Sequence, residues 1–363
     1  MRHFCTYFDN RYLTRGLALH RSLRQYCPQS TLWVLCLDSA AYDILTELAL
    51  DGLRPIAHEE FLRDDSQLKS ARDDRTLVEY YFTCTPSLPL YVLAQQPDLE
   101  MVTYLDADLY FFSSPEPLFE EMGNCSIAIT PHRFPPALSD HVKYGIYNVG
   151  WLSFRRDPVA IECLHWWRAR CLEWCYDRAE EGKFADQKYL DQWPGLFGSV
   201  AVLNHPGANL APWNLTGVKL GRADDTVTVN DRPLIFFHFH SLKRINPAMY
   251  EMKLMNYGVN PCLILRRHII SGYLRVLRAL EWQMRGRLPV ISAEANLRHK
   301  SRHADKLANS SGAKPHRLFG RWKRFFGLLK GLLTGKYFLC LSRQWAVRSN
   351  IHIRRNHWPI RGR

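Results

Sequence analysis

The ten cysteines of this 363-residue chain lack the arrangements that mark a zinc or redox site. No two are spaced as C-x-x-C, and none stands with histidines at zinc-finger spacing. The N-terminal stretch MRHFCTYFD has one early arginine but no apolar segment behind it, so we expect no signal peptide. These absences favour a cytoplasmic protein whose thiols are reduced.

Long apolar runs are missing as well. No stretch of about 18 uninterrupted apolar residues occurs, which is the length that a membrane-spanning helix needs. The sequence therefore argues against a spanning helix.

Most of the chain also has no excess of positive charge, although the formal net charge is +13. Residues 295–363 contain 17 Lys+Arg and a single acid, Asp305, whereas residues 1–294 contain 31 Lys+Arg and 34 Asp+Glu. The basic character belongs to the C-terminal part alone. Because residues 1–294 show no basic stripe, we do not expect a nucleic-acid partner.

Short apolar runs alternate with helical patterns along the first 250 residues. HFCTYFD and TLWVLCLD are typical of strands, and LTRGLALHRSLRQY between them has helical periodicity. This β–α–β opening predicts an α/β fold with a mostly parallel sheet. We expect a catalytic domain over 1–249, a helical extension over 250–308 and a basic amphipathic tail over 309–363.

Two carboxylates stand close together in the stretch VTYLDADLYFF. On a strand, residues i and i+2 point to the same face, so Asp106 and Asp108 converge on one point. Paired carboxylate oxygens suit Mg²⁺ or Mn²⁺, and ligands in open α/β sheets bind beyond the carboxyl ends of strands. A bare D-x-D tripeptide is a weak signal, because solvated acids often end a strand.

The surroundings of the pair are more specific. MVTYLDADLYFFSSPEPLFEEM resembles the metal-binding motif of nucleotide-sugar-dependent glycosyltransferases with the GT-A fold. It is most similar to family eight, which includes glycogenin and bacterial lipopolysaccharide galactosyl- and glucosyltransferases. The resemblance implies a Rossmann-like mixed sheet flanked by helices, and Mn²⁺ or Mg²⁺ held by Asp106 and Asp108 against the diphosphate of a nucleotide-diphosphate sugar. It also implies retention of anomeric configuration and a hydroxyl acceptor. An envelope or lipopolysaccharide-type glycan or glycolipid is the best candidate, because a membrane-bound tail at 309–363 would hold the enzyme near a lipid-linked acceptor.

The resemblance extends to the first strand and to a later turn. CTYFDNRYLTRGLALHRSL is similar to the family's opening unit, where the nucleotide base and ribose bind. YGIYNVGWLSF is similar to a turn whose asparagine and backbone line the donor sugar site. The residues implied as nucleotide-sugar contacts are Thr6, Tyr7, Asp9, Tyr12, Asn148 and Gly150, together with Asp106.

Two further stretches resemble the reacting end of the family's site. GKFADQKYLDQW supplies Asp186 and Gln187, which the resemblance places near the reacting carbon, although the same dipeptide is ordinary chemistry for a helix start. NLAPWNL is similar to a strand-end element at Trp213 and Asn214, which core packing of the tryptophan explains equally well.

The last matching stretch is LIFFHFHSLKRIN. The resemblance implies a histidine as the third metal ligand and a lysine, Lys243, that meets the leaving phosphate. His238 and His240 share one strand face, and register with the motif favours His238. The stretch lacks the glycine and the proline–tryptophan pair of the family. Where many members carry an arginine that grips the donor, this chain has Phe82, so Arg72 or Arg75 is an alternative.

Two other classes of protein remain open. A sugar nucleotidyltransferase shares the α/β core and the metal carboxylates, but its first turn is usually a glycine-rich, basic phosphate loop, which TYFDNRYLTRG is not. A non-enzymatic nucleic-acid or membrane-binding protein would use the basic tail. Binding of labelled DNA and of sugar nucleotides to one preparation separates these classes.

The tail contains the segment KPHRLFGRWKRFFGLLKGLLTGKYFLCL. Its apolar residues recur at helical spacing on one face: Leu318, Trp322, Phe325, Phe326, Leu329, Leu332 and Leu333. Basic residues occupy the other face, which predicts a helix on an anionic membrane surface. We therefore expect a cytoplasmic protein that is peripheral on the inner face of the cytoplasmic membrane. The alternative is a helix docked on the catalytic core, which shows the same pattern.

Overall fold

The computed structural model describes residues 1–246, 248–286, 331–332 and 334–339. The strands of this part are β1 (Arg2–Phe8), β2 (Ser30–Cys36), β3 (Leu53–Ala57), β4 (Met101–Leu105), β5 (Leu109–Phe111), β6 (Ile127–Pro131), β7 (Tyr147–Arg155), β8 (Val200–Val202), β9 (Leu220–Ala223), β10 (Thr226–Val229), β11 (Arg232–Pro233), β12 (Phe236–His238), β13 (Lys243–Asn246), β14 (Met249–Glu251) and β15 (Tyr337–Leu339). The α-helices are α1 (Leu13–Tyr26), α2 (Ser39–Leu48), α3 (His58–Phe61), α4 (Ser66–Ala71), α5 (Leu77–Cys84), α6 (Ser87–Gln95), α7 (Glu116–Met122), α8 (Pro158–Glu173), α9 (Trp193–Leu196) and α10 (Ser271–Gln283).

Seven strands form the central sheet in the order β3-β2-β1-β4-β7-β6-β8. Strand β7 runs antiparallel to both of its neighbours, whereas the other neighbouring pairs are parallel. All seven residues of β2 are buried, as expected for a strand of a parallel sheet that is covered on both faces. The predicted fold class, a mostly parallel mixed α/β sheet flanked by helices, is confirmed.

The two faces of the sheet carry separate hydrophobic clusters. Strand β1 supplies Phe4 and Phe8 to one cluster, together with α1, and Cys5 to the other. Alternation of this kind follows from the two-residue period of a strand. Strands β1 and β4 pair in parallel, so both end at the same edge of the sheet.

Strands β5 and β12 form a two-stranded sheet beyond that edge. They pair in antiparallel register, with His238 opposite Leu109. The pairing brings the end of β12 beside the residues that link β4 to β5, although more than a hundred residues separate the two segments in sequence.

The C-terminal part packs onto this body. Helix α10 contacts α1, and β15 pairs with β14 through Phe338 and Tyr250. Phe338 is buried, so a short segment of the 309–363 region belongs to the folded protein. The rest of the predicted tail helix lies outside the described residues, except 331–332, which are helical. The boundaries at 249 and 308 stay predictions.

Among the helices that the structure describes, we find none with the length and apolarity needed to cross a membrane.

Candidate active site

Three side chains meet at the carboxyl end of β4. Asp106 follows the strand directly, and its backbone N–H donates to the Gly150 carbonyl at 3.1 Å. Asp108 stands just before β5, and His238 is the last residue of β12. Strand pairing on both sides therefore fixes the backbone of each of the three residues.

The three side chains are close enough to share one ion. His238 Nε2 lies 3.1 Å from Asp108 Oδ1 and 3.6 Å from Asp106 Oδ2. One ligand atom from each residue lies within 4.8 Å of the other two. Two carboxylate oxygens and one imidazole nitrogen suit Mn²⁺, and the oxygens also suit Mg²⁺. Among the described residues, His238 Nδ1 has no hydrogen-bond partner, so no bond to the protein holds this ring in another orientation.

The charges of the cluster balance one another. Burial raises the pKa of Asp106, and the positive charge of His238 opposes this only in part. Burial works against ionisation of Asp108 too, but the charge and hydrogen bond of His238 outweigh it and lower the pKa of Asp108. Burial disfavours the His238 cation, yet the two carboxylates outweigh it and raise the pKa of His238. The carboxylates thus stabilise a positive charge at this point, and they would stabilise a divalent cation in the same way.

The geometry distinguishes the two histidines. His238 faces both carboxylates, whereas His240 is not part of the cluster. The His240 ring packs edge-on against Trp213, with 5.4 Å between the ring centroids. Burial and the charge of His238 lower the pKa of His240 to about 4.

A cavity of about 700 Å³ opens around the cluster. Nine of the twelve predicted site residues line it: Tyr7, Asp9, Tyr12, Asp106, Asp108, Asn148, Asp186, Gln187 and His238. Segments spread over more than two hundred residues of sequence are therefore brought together at one place.

Three predicted residues do not line the cavity. Thr6 is fully buried in β1. Gly150 lies behind His238, where a Cβ would come within 3.0 Å of His238 Nδ1 and 2.6 Å of Asn148 Oδ1, so only glycine allows this approach. Lys243 is exposed on β13 opposite Glu251, and its role at a leaving phosphate stays a prediction.

The structure brings a different arginine to the cavity from those considered in the sequence. Arg75 is buried and donates to the carbonyls of Cys171 and Leu172, so it caps the end of α8 and lines a separate cavity of about 450 Å³. Arg72 is exposed and lines neither cavity. Arg11 lines the large cavity.

Arg11 is held by Asp9. The Asp9 carboxylate accepts from Arg11 Nε at 2.7 Å and from the Arg11 backbone N–H at 3.0 Å. The carboxylate is therefore already occupied, whereas the Arg11 side chain is 63% exposed and its guanidinium has further N–H groups that can donate to an anion. No motif in the sequence marks this arginine.

Asp186 is buried in the wall of the cavity. The residue before it, Ala185, has a φ of 45°, a left-handed conformation that is uncommon for a residue other than glycine. Burial raises the pKa of Asp186 to about 7, and a hydrogen bond from Thr85 opposes this only in part. Its backbone carbonyl accepts from Trp167 Nε1 at 2.8 Å.

We expect Asp186→Asn to stabilise the protein at alkaline pH. The pKa of this carboxyl is about 7 in the folded state and near the ordinary 3.8 in the unfolded state. Between these values the folded protein binds more protons, so stability falls as the pH rises. Asparagine removes this penalty, by up to ~4 kcal/mol at about pH 8. Thermal unfolding should show a higher melting temperature for the variant at about pH 8 and equal values near the unfolded pKa; a difference independent of pH contradicts the burial of a charge.

The lining also contains many aromatic residues, of which the sequence analysis assigned only Tyr7 and Tyr12 to the nucleotide sugar. The aromatic residues around the cavity are Tyr7, Phe8, Tyr12, Tyr81, Phe82, Tyr104, Phe134, Tyr144, Phe184, Trp213 and Tyr257. They come from separate segments, so no local pattern marks them as one surface. Flat rings offer stacking surfaces for a nucleotide base and for the apolar face of a sugar.

Two relatives match this chain over most of their own length. The chain is 34% identical over 253 residues to the uncharacterized protein YfnF of Bacillus subtilis (strain 168), a match that spans 67% of this chain and 82% of YfnF. It is 32% identical over 253 residues to the uncharacterized protein YfnD of the same organism, over 69% of this chain and 81% of YfnD. The chain belongs to the family of YfnF and YfnD. No family model matches it.

This member of the YfnF and YfnD family is also similar to solved glycosyltransferase structures. The galactosyltransferase LgtC in complex with donor and acceptor sugar analogs is 17% identical, with a TM-score of 0.49, over 79% of this chain and 100% of that chain. Mouse xyloside xylosyltransferase 1 is 13% identical, with a TM-score of 0.41, over 66% and 98%. The glycosyltransferase GlyE of Streptococcus pneumoniae TIGR4 is 16% identical, with a TM-score of 0.40, over 78% and 63%. Likeness of this extent assigns no activity or substrate.

Proposed function

We propose that this protein is a metal-dependent glycosyltransferase that moves a sugar from a nucleotide-diphosphate sugar, preferably a UDP-sugar, to a hydroxyl acceptor. The observation that carries the proposal is the cluster of Asp106, Asp108 and His238 in the wall of a cavity of about 700 Å³. The volume is in the range of small-molecule sites, and the place is the carboxyl edge of the sheet, where α/β proteins bind ligands.

In this proposal, residues at the ends of β1 and β4 bind different parts of the donor. Asp106, Asp108 and His238 would hold the divalent cation, which supplies positive charge against the developing charge of the leaving diphosphate. Tyr7, the Asp9–Arg11 pair and Tyr12 line the same cavity at the end of β1, where the base and ribose are proposed to bind. Arg15 adds a further cation nearby, because its guanidinium lies 4.2 Å from the Tyr12 ring centroid.

We propose that the side chains of Asn148, Asp186 and Gln187 contact the donor sugar near its reacting carbon. Gln187 Nε2 donates to the Tyr144 carbonyl at 2.8 Å, and Gln187 Oε1 accepts from Asn148 at 3.0 Å. An amide held in this way supports a sugar and is no nucleophile. By analogy with family eight, we propose retention through front-face attack: the acceptor oxygen bonds to the anomeric carbon as the bond from that carbon to the leaving phosphate oxygen breaks, and that phosphate oxygen takes the proton of the acceptor hydroxyl.

The assay that tests this function is a screen of UDP-, GDP- and CDP-sugars with Mn²⁺. We expect release of a nucleoside diphosphate, highest with a UDP-sugar and dependent on the metal. Formation of a sugar nucleotide and pyrophosphate from a sugar phosphate and a nucleoside triphosphate supports a sugar nucleotidyltransferase instead. Turnover of none of these donors overturns the proposal.

We also propose an envelope or lipopolysaccharide-type glycan or glycolipid as the acceptor, and an anionic membrane surface as the partner of the basic tail. A tail on the inner face of the membrane would hold the enzyme near a lipid-linked acceptor. The support is the sequence pattern of residues 309–363, which lie outside the described residues except 331–332 and 334–339.

Neutralising the tail tests the membrane proposal. The variant replaces the basic face, Arg317, Arg321, Lys323, Arg324 and Lys330, by glutamine. Substitution is preferable to truncation, because β15 belongs to the folded protein. Since each basic residue near the headgroups adds ~1 kcal/mol, the wild-type protein should sediment with anionic vesicles and the variant should not. Equal sedimentation of both proteins, or binding to zwitterionic vesicles alone, contradicts the proposal.

A further inference from the structure

The histidine that follows β6, His132, lies in the cavity wall in a fixed orientation. Its ring stacks on Phe134, with 4.6 Å between centroids and an angle of 11°, and packs edge-on against Trp213 at 5.2 Å. Its backbone carbonyl accepts from Trp213 Nε1 at 3.1 Å and from Asn214 Nδ2 at 2.9 Å. The side chain is buried, so the packing leaves the ring one position.

The hydrogen bonds of the ring determine its tautomer. Nδ1 lies 3.3 Å from the Ile146 carbonyl oxygen, which can only accept, so Nδ1 carries the proton. Burial lowers the pKa of His132 to about 3, which keeps the ring neutral. In a neutral ring the other nitrogen, Nε2, is an acceptor. It lies 3.3 Å from Asn148 Nδ2 and accepts from that amide.

Hydrogen bonds also determine how the side-chain amides of Asn148 and Gln187 are oriented. Asn148 Oδ1 accepts from the Gly150 backbone N–H at 3.0 Å, which can only donate. The amide is therefore oriented from two sides, by a donor at its oxygen and by His132 at its nitrogen. Its second N–H donates to Gln187 Oε1 at 3.0 Å, which leaves Gln187 Nε2 to donate to the Tyr144 carbonyl at 2.8 Å.

We propose that His132 is a positioning residue that fixes the amides of Asn148 and Gln187 for the donor sugar. The inference rests on the proposed function, because the sugar is the ligand that these amides would meet. The three side chains line the same cavity as the metal cluster. Without the acceptor at His132, one buried N–H of Asn148 loses its partner, and the orientation of both amides is less constrained.

Two substitutions at this position separate positioning from packing. His132→Leu removes both polar atoms and keeps an apolar side chain against Phe134. His132→Gln offers an N–H to Ile146 and an oxygen to Asn148, so it can restore the chain of hydrogen bonds. His165→Leu, at an exposed histidine of α8, is the matched control.

The kinetic test measures kcat and KM for the nucleotide sugar and the affinity for the nucleoside diphosphate, all with Mn²⁺. We expect His132→Leu to lower kcat by ~10–100-fold with little change in nucleoside diphosphate affinity, because displaced contacts to a reacting group cost about this much. His132→Gln should recover most of that loss, and His165→Leu should match the wild type. Equal losses in both His132 variants, wild-type kinetics in His132→Leu, or an equal loss of nucleoside diphosphate affinity overturns the inference.

An NMR measurement tests the inference separately from the proposed function. In ¹⁵N NMR spectra of the wild-type protein, the His132 ring should be neutral and protonated at Nδ1, with the Asn148 and Gln187 side-chain amide protons protected from exchange. If the protein turns over no nucleotide sugar, the proposed function fails, and the inference fails with it. A ring protonated at Nε2, or rapidly exchanging amides, overturns the inference even in an active enzyme.

Discussion

Asp108→Asn should reduce metal-dependent nucleotide-sugar turnover at least ~100-fold while the protein remains folded. An amide is a poor ligand for a hard divalent cation, and His238 Nε2 lies 3.1 Å from this carboxylate. The fold should persist, because the backbone carbonyl of Asp108, not its side chain, accepts the hydrogen bond from Phe239.

Steady-state kinetics with Mn²⁺ and thermal unfolding of the same preparations check this expectation. Asp98→Asn is the matched control, since Asp98 is exposed and does not line the cavity. It should leave turnover and the melting temperature unchanged. Turnover near the wild-type level in Asp108→Asn means that the metal site is assigned to the wrong residues.

His238→Ala should produce a loss of similar size, whereas His240→Ala should not. His238 faces both carboxylates and would supply the third ligand. His240 lines the same cavity and packs against the same tryptophan, at 5.4 Å compared with 5.2 Å for His238. The two variants therefore remove similar ring contacts, and only one of them removes a proposed ligand.

Binding of Mn²⁺, followed by electron paramagnetic resonance, and kcat should fall together in His238→Ala. In His240→Ala, Mn²⁺ affinity should stay at the wild-type level. The opposite pattern transfers the third ligand from His238 to His240.

Local patterns in the sequence predicted the central sheet and the carboxylate pair. The run TLWVLCLD covers β2 from Thr31 onward, and β2 is buried along its whole length. Asp106 and Asp108 lie together as expected, but they stand in the turn that links β4 to β5, so the two-residue period of a strand is not what brings them together. Register with a family motif favoured His238 over His240, and the pairing of β12 with β5 turns that histidine toward both carboxylates. These features depend on short-range periodicity or on a motif.

Other features depend on packing between distant segments, which periodicity does not reveal. Lys243 does not line the cavity and is exposed on β13, which pairs with β14. Arg11 enters the cavity because Asp9 holds it there. His132 acquires its place from Ile146 and Trp213, neither of which is adjacent to it in sequence.

The C-terminal region shows the same limit. The basic and apolar periodicity of residues 309–363 predicted a helix and its possible surfaces, but nothing in it indicated that Phe338 would be buried in a strand beside Tyr250. Pairing between strands so far apart in sequence is set by tertiary contacts.

The central claim is that one site binds a divalent cation and a nucleotide-diphosphate sugar together. Calorimetric titration of Mn²⁺ into the wild-type protein, with and without a saturating UDP-sugar, measures this directly. We expect a single Mn²⁺ to bind per chain and the UDP-sugar to increase its affinity, with the reciprocal effect of Mn²⁺ on the UDP-sugar equal in size. Both effects should disappear in Asp108→Asn. Mn²⁺ binding that is absent, indifferent to the nucleotide sugar, or unchanged in Asp108→Asn contradicts the claim.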